Sequence, residues 1–235
     1  MNKINTICFF GCSFTAVEGS ITGYEFKNYR KLIEEKLGVN CYNYSYSGKS
    51  NEEIINDVYL NSKEYKPNTL FVIQTTFTNR LGMYYDLMDR FESICKTENA
   101  ENEKEKILID FYNYWLKYFY NKNFQLLEFE KSIDLLSAWL SKMNIPFLII
   151  GMDETLDSLN NNTFFERNNF LDFDNHKSFY TYACLNKLRI YDVLKIKNVI
   201  EDYHFNQFGH DILAEKIIKS INQINDQQTK SGKES

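Results

Sequence analysis

With 235 residues, 43% of them hydrophobic and 16% aromatic, the chain is long enough to bury one substantial core as a single domain. Its net charge of -5, with Lys and Arg scattered among acids, leaves no basic face, so no nucleic-acid partner is expected. Ile145 to Met152 is too short for a membrane span and Ile7 to Phe10 too short for a signal-peptide core, so the chain as given reads as cytoplasmic.

From the N-terminus, Ile4 to Phe10 is an apolar run that stops at Gly11, the pattern of a buried strand entering a turn. Phe26, Tyr29, Leu32, Ile33 and Leu37 then recur at helical spacing, with Gly38 placed to cap the end. Val39 to Tyr44 reads as a second strand, and Ser50 with Glu53 forms a capping box that opens a helix through Tyr59. Pro67 and Asn68 punctuate the chain before a third strand, Thr69 to Thr75.

Between Leu81 and Met143 the pattern predicts a helical insertion rich in aromatics, with Thr97 to Glu105 as a surface loop. Within it, Phe111 to Phe129 is a stretch for helix packing or for a wall over a site. Ile145 to Met152 is the clearest strand and ends at Gly151. A polar connection from Asp153 to Asn175 follows, and a last short strand is expected within Ile196 to Ile200. Asn206 caps a final helix carrying Phe208, Ile212, Leu213, Ile217, Ile218 and Ile221 at helical spacing. One domain is expected over residues 1–225, with 226–235 a disordered tail. Alternating strands and helices argue for an α/β fold, a doubly wound and mostly parallel sheet covered on both faces.

In such sheets ligands bind beyond the carboxyl ends of the strands. The residues there are Ser13, Ser47 with Gly48, Thr76 to Arg80, and Asp153, with the His204 loop arriving before the last helix. A serine nucleophile needs a base, and the base needs a carboxylate to hold its tautomer. Ser13 and His204 fill the first two roles. Asp202, two residues away in an extended segment, is a candidate for the third. The backbone N–H of Gly48, near a helix N-terminus, and the side-chain amide of Asn79 are candidate donors to a developing oxyanion. Arg80 is a candidate to bind an anionic group on a substrate or to form a surface ion pair. Five cysteines without a C-x-x-C pair read as reduced thiols, and His176, His204 and His210 are too badly spaced for a metal cage, so no metal or other cofactor is expected. His210 is expected to be structural and His176 solvated.

These blocks resemble those of the SGNH, or GDSL-like, hydrolase superfamily. Phe10-Gly11-Cys12-Ser13-Phe14-Thr15 is similar to its first block, with Cys12 where many members carry aspartate. Asn43 to Ser50 is similar to the second and puts Gly48 in the oxyanion position. His204, followed by Asn206, Gly209 and His210, is similar to the closing block. Thr75 to Arg80 matches the asparagine block at Asn79 by position and type, without its glycine-rich turn. The resemblance implies the three-layer, flavodoxin-like fold of that superfamily and an oxyanion hole from Ser13, Gly48 and Asn79. It also implies a carboxylate either at Glu201, three residues before the histidine, or at Asp202 in a shorter spacing. The implied activity is acyl-ester hydrolysis through an acyl-serine, on small acyl esters, often acetyl, of carbohydrate. The alternatives are O-acyl transfer to a glycan hydroxyl, or a catalytically silent sugar-binding or scaffold protein. A small-molecule or glycan ester is the expected partner; oligomeric state is not legible.

Overall fold

The computed structural model describes residues 3–17, 24–65, 68–85, 90–94, 103–159, 161–194 and 203–231. Its first half runs β1 (Thr6–Phe10), α1 (Ser13–Ala16), α2 (Tyr29–Leu37), β2 (Asn40–Asn43), α3 (Asn51–Ser62), β3 (Thr69–Gln74), β4 (Leu81–Tyr85) and β5 (Arg90–Ile94). There follow α4 (Glu103–Tyr118), α5 (Lys122–Lys142), β6 (Phe147–Ile150), a 3-10 turn (Glu154–Ser158), α6 (Asn162–Arg167), α7 (Phe179–Leu185), α8 (Ile190–Leu194) and α9 (Gln207–Ser231).

Four of the five runs expected as strands form one parallel sheet in the order β2-β1-β3-β6, an α/β architecture. Because side chains alternate across a strand, β1, β3 and β6 each supply both layers. Ile7, Phe9, Leu70, Val72, Leu148 and Ile150 meet Ile33 of α2, Phe179 of α7 and Leu213 and Ile217 of α9. Cys8, Phe10, Phe71, Ile73, Phe147 and Ile149 meet Ile54 and Val58 of α3, Ile133 and Leu140 of α5 and Phe164 of α6. β1 and β3 are central, so all their core side chains are shut off from water, whereas the edge strand β2 is largely exposed.

Local signals place the helices. Asn28 accepts from Arg30 N–H at 3.0 Å to cap α2, and Gly38 N–H closes its far end on Glu34 O at 2.8 Å. Ser50 and Glu53 form the expected capping box, and Asn206 Oδ1 accepts from Gly209 N–H at 3.1 Å at the start of α9. Two expectations of structure are corrected. The segment from Leu81 does not begin as helix: β4 and β5 pair antiparallel, Leu81 opposite Ile94 and Tyr85 opposite Arg90, in line with the strand preference of their aromatic and branched residues. The last helix runs past Asn225 to Ser231 through Gln and Lys, which are good helix formers, so the tail expected to be disordered is helical over most of its length. The strand expected within 196–200 and residues 97–102 of the expected loop lie outside the described residues. Among the described residues no helix is long and apolar enough to cross a membrane.

Candidate active site

β1 delivers Gly11, Cys12 and Ser13 to the carboxyl edge of the sheet, and α1 is one turn long, with Thr15 and Ala16 N–H both on Cys12 O at 3.0 Å. Gly11 lets the chain pass close to the Thr15 and Gln74 side chains at this turn. A Cβ there would stand 2.7 Å from Thr15 Oγ1 and 2.9 Å from Gln74 Oε1. Ser13 is half-buried between Cys12 and Phe14, both buried.

A closed polar network lies beneath Ser13. Thr15 Oγ1 donates to Gln74 Oε1 at 2.6 Å, which commits its one proton, so the Tyr29 hydroxyl 2.7 Å away is the donor to Thr15. Gln74 Nε2 donates to Thr75 O at 2.5 Å and lies 3.3 Å from Cys12 Sγ. Asn28 Nδ2 donates to Thr15 O at 3.2 Å and Val17 O at 3.0 Å, and Arg30 Nε donates to Thr15 O at 2.8 Å. The orphan carbonyls at the end of a short helix are thus satisfied by side chains.

The loop after β2 carries Gly48 at φ 89°, a left-handed conformation in which glycine has no Cβ penalty. Lys49, 2% exposed, pins this loop: its ammonium donates to Tyr44 O at 2.6 Å, pairs with the Asp57 carboxylate and sits 4.0 Å from the centre of the Tyr46 ring. Arg80 Nη1 donates to Lys49 O at 3.2 Å, so this residue, expected to contact substrate or an ion-pair partner, joins the β2 and β3 loops. Asn51, at the start of α3, clamps β3 from the other side, accepting from Thr76 N–H at 2.7 Å and donating to Thr76 O at 3.1 Å.

Asn79 occupies an exposed turn after β3. Its backbone oxygen accepts from Tyr112 Oη at 2.7 Å. The preceding Thr78 is fixed by buried Asp153, whose Oδ2 accepts from Thr78 N–H at 2.6 Å and Oγ1 at 2.7 Å while Oδ1 accepts from Thr155 N–H at 2.8 Å. Asn79 borders a cavity of about 290 Å³ shared with Tyr120, Lys122, Asp153 and Thr155.

His204 reaches the same edge from the far end of the chain. Its carbonyl accepts from Ile190 N–H at 2.8 Å, and Asn206 N–H donates to Leu188 O at 2.7 Å, so the loop is zipped to the chain entering α8. The imidazole packs on the ring of Phe14, the neighbour of Ser13, with centroids 4.9 Å apart, and Phe205 lies against the same ring at 4.9 Å. Phe14 also meets Phe77 of the β3 loop at 6.3 Å, so one aromatic ring joins the serine, histidine and asparagine segments. Glu201 and Asp202 lie outside the described residues.

His210 is buried in α9, stacked on Phe26 at 4.5 Å, and its Nδ1 accepts from Tyr29 N–H at 3.4 Å. Burial, reinforced by nearby His204 and Arg30, pushes its pKa down to about 3, so it stays neutral. His176, expected to be solvated, instead lies with Nδ1 3.3 Å from Asp157 Oδ2. Burial pushes the Cys8 thiol up to about 12, which makes it a packing group rather than a nucleophile.

Sequence reasoning missed Thr15, Gln74, Lys49 and Asn51 as parts of this edge. Gln74 alone carried a signal, being a polar residue in an otherwise apolar central strand, where a buried amide needs partners.

No family model and no curated protein matches the chain. Among solved structures it is similar to a GDSL-like lipase from Parabacteroides merdae, with TM-score 0.48, 10% identity and coverage of 94% of this chain and 97% of that one. It is also similar to a psychrotrophic esterase from Pseudoalteromonas sp., with TM-score 0.47, 14% identity and coverage of 93% and 97%. An acetyl xylan esterase matches with TM-score 0.44, 16% identity and coverage of 92% and 98%. In each case the likeness is one of fold.

Proposed function

We propose that the chain is a serine-dependent acyl-ester hydrolase that works through an acyl-Ser13 intermediate. The observation that carries this reading is the packing of the His204 imidazole on Phe14, 4.9 Å between centroids, which brings a base from residue 204 beside the serine turn at residue 13.

In the first half-reaction His204 removes the Ser13 hydroxyl proton as Oγ attacks the ester carbonyl carbon. The carbonyl oxygen takes up the negative charge and is stabilised by the N–H groups of Ser13 and Gly48 and the amide of Asn79. Collapse breaks the bond to the alcohol, which leaves with the proton held on His204. In the second half-reaction His204 deprotonates water, the hydroxide attacks the acyl-serine, and the acid departs as Ser13 recovers its proton. The carboxylate that orients His204 is Asp202 or Glu201. Arg80 sits at the rim, its guanidinium partly engaged by Lys49 O. A small acyl group such as acetyl, carried on a carbohydrate, is the substrate class the sequence resemblance implies. With a sugar hydroxyl in place of water the same steps make an acyltransferase.

The test is covalent labelling with a fluorophosphonate probe. Stoichiometric labelling of the wild type that disappears in Ser13→Ala is expected, and a folded wild type that takes no label would reject the reading in favour of a silent, sugar-binding protein. Comparing the rate losses of Glu201→Ala and Asp202→Ala identifies the carboxylate.

A further inference from the structure

The aromatic stretch that begins at Phe111 opens on α4, and this helix carries apolar residues on two faces. The inner face docks on the molecule: Tyr112 is buried with its hydroxyl on Asn79 O, and Trp115 and Leu116 are partly covered beside it. The other face is bare. Ile107, Phe111, Tyr114 and Tyr118 are 63, 44, 55 and 58% exposed, and Phe119, just past the helix end, is in ring contact with Tyr114 and 65% exposed. Single exposed apolar residues are ordinary, whereas a contiguous row of them marks an interaction surface. At about 100° per residue the four helical positions fall within an arc of about 60°, turned roughly 100–160° away from Tyr112.

The spacing of the row is 4-3-4, the repeat by which one helix lies in the grooves of another. With Phe111 and Tyr118 at a and Ile107 and Tyr114 at d, the flanking g positions are Asp110 and Lys117, both exposed. These two charges select the partner and its direction. A two-fold axis passing between Phe111 and Tyr114 sets Phe111 against the partner's Tyr114 and Ile107 against the partner's Tyr118. The same axis brings Asp110 within about 3 Å, along the helix axis, of the level of the partner's Lys117, and each side chain leans toward its own helix N-terminus and so toward the other. By symmetry the ion pair forms twice. In a parallel pair each g residue faces an e residue instead, and Trp115 at e offers Asp110 no charge.

We propose that α4 pairs antiparallel through this row with α4 of a second copy of the chain, giving a two-fold dimer. At roughly 200 Å² for an aromatic side chain and about half exposure, the row with Phe119 offers on the order of 500 Å² per copy. The two copies together bury about 1,000 Å², the small end of specific interfaces, so the dimer belongs to the weak, micromolar class. Two other occupants fit less well. Tyr118 and Phe119 are tilted 47° and 48° from Tyr114, so the rings present no single flat face on which a sugar ring could lie. The charges beside the row, Lys106, Asp110 and Lys117, are of mixed sign on a chain of net charge -5, unlike the Lys- and Arg-rich face of a helix that lies on anionic lipid.

The test is the mass of the full chain in solution. Sedimentation across roughly 1–300 μM, a range that brackets a micromolar Kd, should carry the average mass from 28.0 kDa toward twice that value. Tyr114→Lys places a cation from each copy beside the axis and should weaken pairing by about tenfold or more, with an unchanged far-ultraviolet spectrum because the site is exposed. A charge swap reads the partner and the register together. Asp110→Lys or Lys117→Asp alone sets like charges opposite each other at both ends of the seam and should weaken pairing about three- to tenfold at low salt. The double variant restores both ion pairs and, with them, the wild-type Kd. A mass that stays at 28.0 kDa over the whole range overturns the proposal, as does a monomer that binds vesicles of anionic phospholipid through the same row. A dimer that Tyr114→Lys leaves intact lies on another surface and equally overturns it. Single reversals that weaken pairing without rescue in the double variant overturn the antiparallel register. None of these measurements depends on turnover, so the hydrolase reading of Ser13 stands or falls separately.

Discussion

The Ser13 turn and the Asn79 turn follow the neighbouring strands β1 and β3 at the same sheet edge but are held in different ways. Around Ser13, buried side chains satisfy the backbone: Thr15, Tyr29 and Gln74 form one proton-ordered chain, and Asn28 and Arg30 take the carbonyls at the end of α1. Around Asn79 the anchoring stops one residue short. Asp153 fixes Thr78 and Tyr112 holds the Asn79 carbonyl, while the residue itself stays exposed at the rim of a cavity. The Ser13 turn is therefore set before any ligand arrives, whereas Asn79, the proposed oxyanion donor, is anchored in the described residues through its backbone oxygen and lies exposed.

The sharpest break of this contrast comes from the serine side. Ser13→Ala and His204→Ala should each lower kcat for an ester substrate by about 10⁴-fold or more with little change in melting temperature, as expected when members of one catalytic unit are removed. Substantial turnover by His204→Ala would reject the assigned base. Next in size, Asn79→Ala should cost about 10²-fold in kcat, the usual loss for one oxyanion donor. A fall in kcat/KM caused only by KM would show that Asn79 positions substrate instead.

Gln74→Leu tests the rigid half through stability. It removes the acceptor of the Thr15 hydroxyl and leaves buried polar groups unpaired, so urea unfolding should show a loss of about 1–3 kcal/mol. An unchanged midpoint would mean that the network does not fix the serine turn. The smallest effect is the pH response of His210. Its folded pKa of about 3 lies below the ordinary value of about 6.5, so on acidification the unfolded chain takes up the proton first. Stability is therefore fully present above about 6.5 and is lost as pH falls toward about 3, by at most about 1.4 kcal/mol per pH unit. His210→Phe should flatten that slope in thermal melts recorded from pH 7 to pH 4.

What the sequence disclosed follows the range of the interactions. Ser50 with Glu53, Gly38 and Asn206 act within a few residues of themselves, and each helix boundary they predict is found. The sheet was legible because β1, β3 and β6 are apolar on both faces, as central parallel strands must be. Ser13, Gly48, Asn79 and His204 were legible as residues at strand ends and before a helix. The Gln74–Thr15 and Asn51–Thr76 bonds join residues 59 and 25 positions apart, and no local pattern encodes them. The β4–β5 hairpin was missed because its aromatics read equally well as one face of a helix.

The enclosure of Lys49 has a practical consequence. An amine walled in by a carbonyl, a carboxylate and a phenol ring is out of reach of acylating reagents while the native loop persists. Mass-spectrometric footprinting of lysines would therefore use residue 49 as an internal clock: modification there would date the moment the Gly48 loop comes undone, separately from unfolding elsewhere.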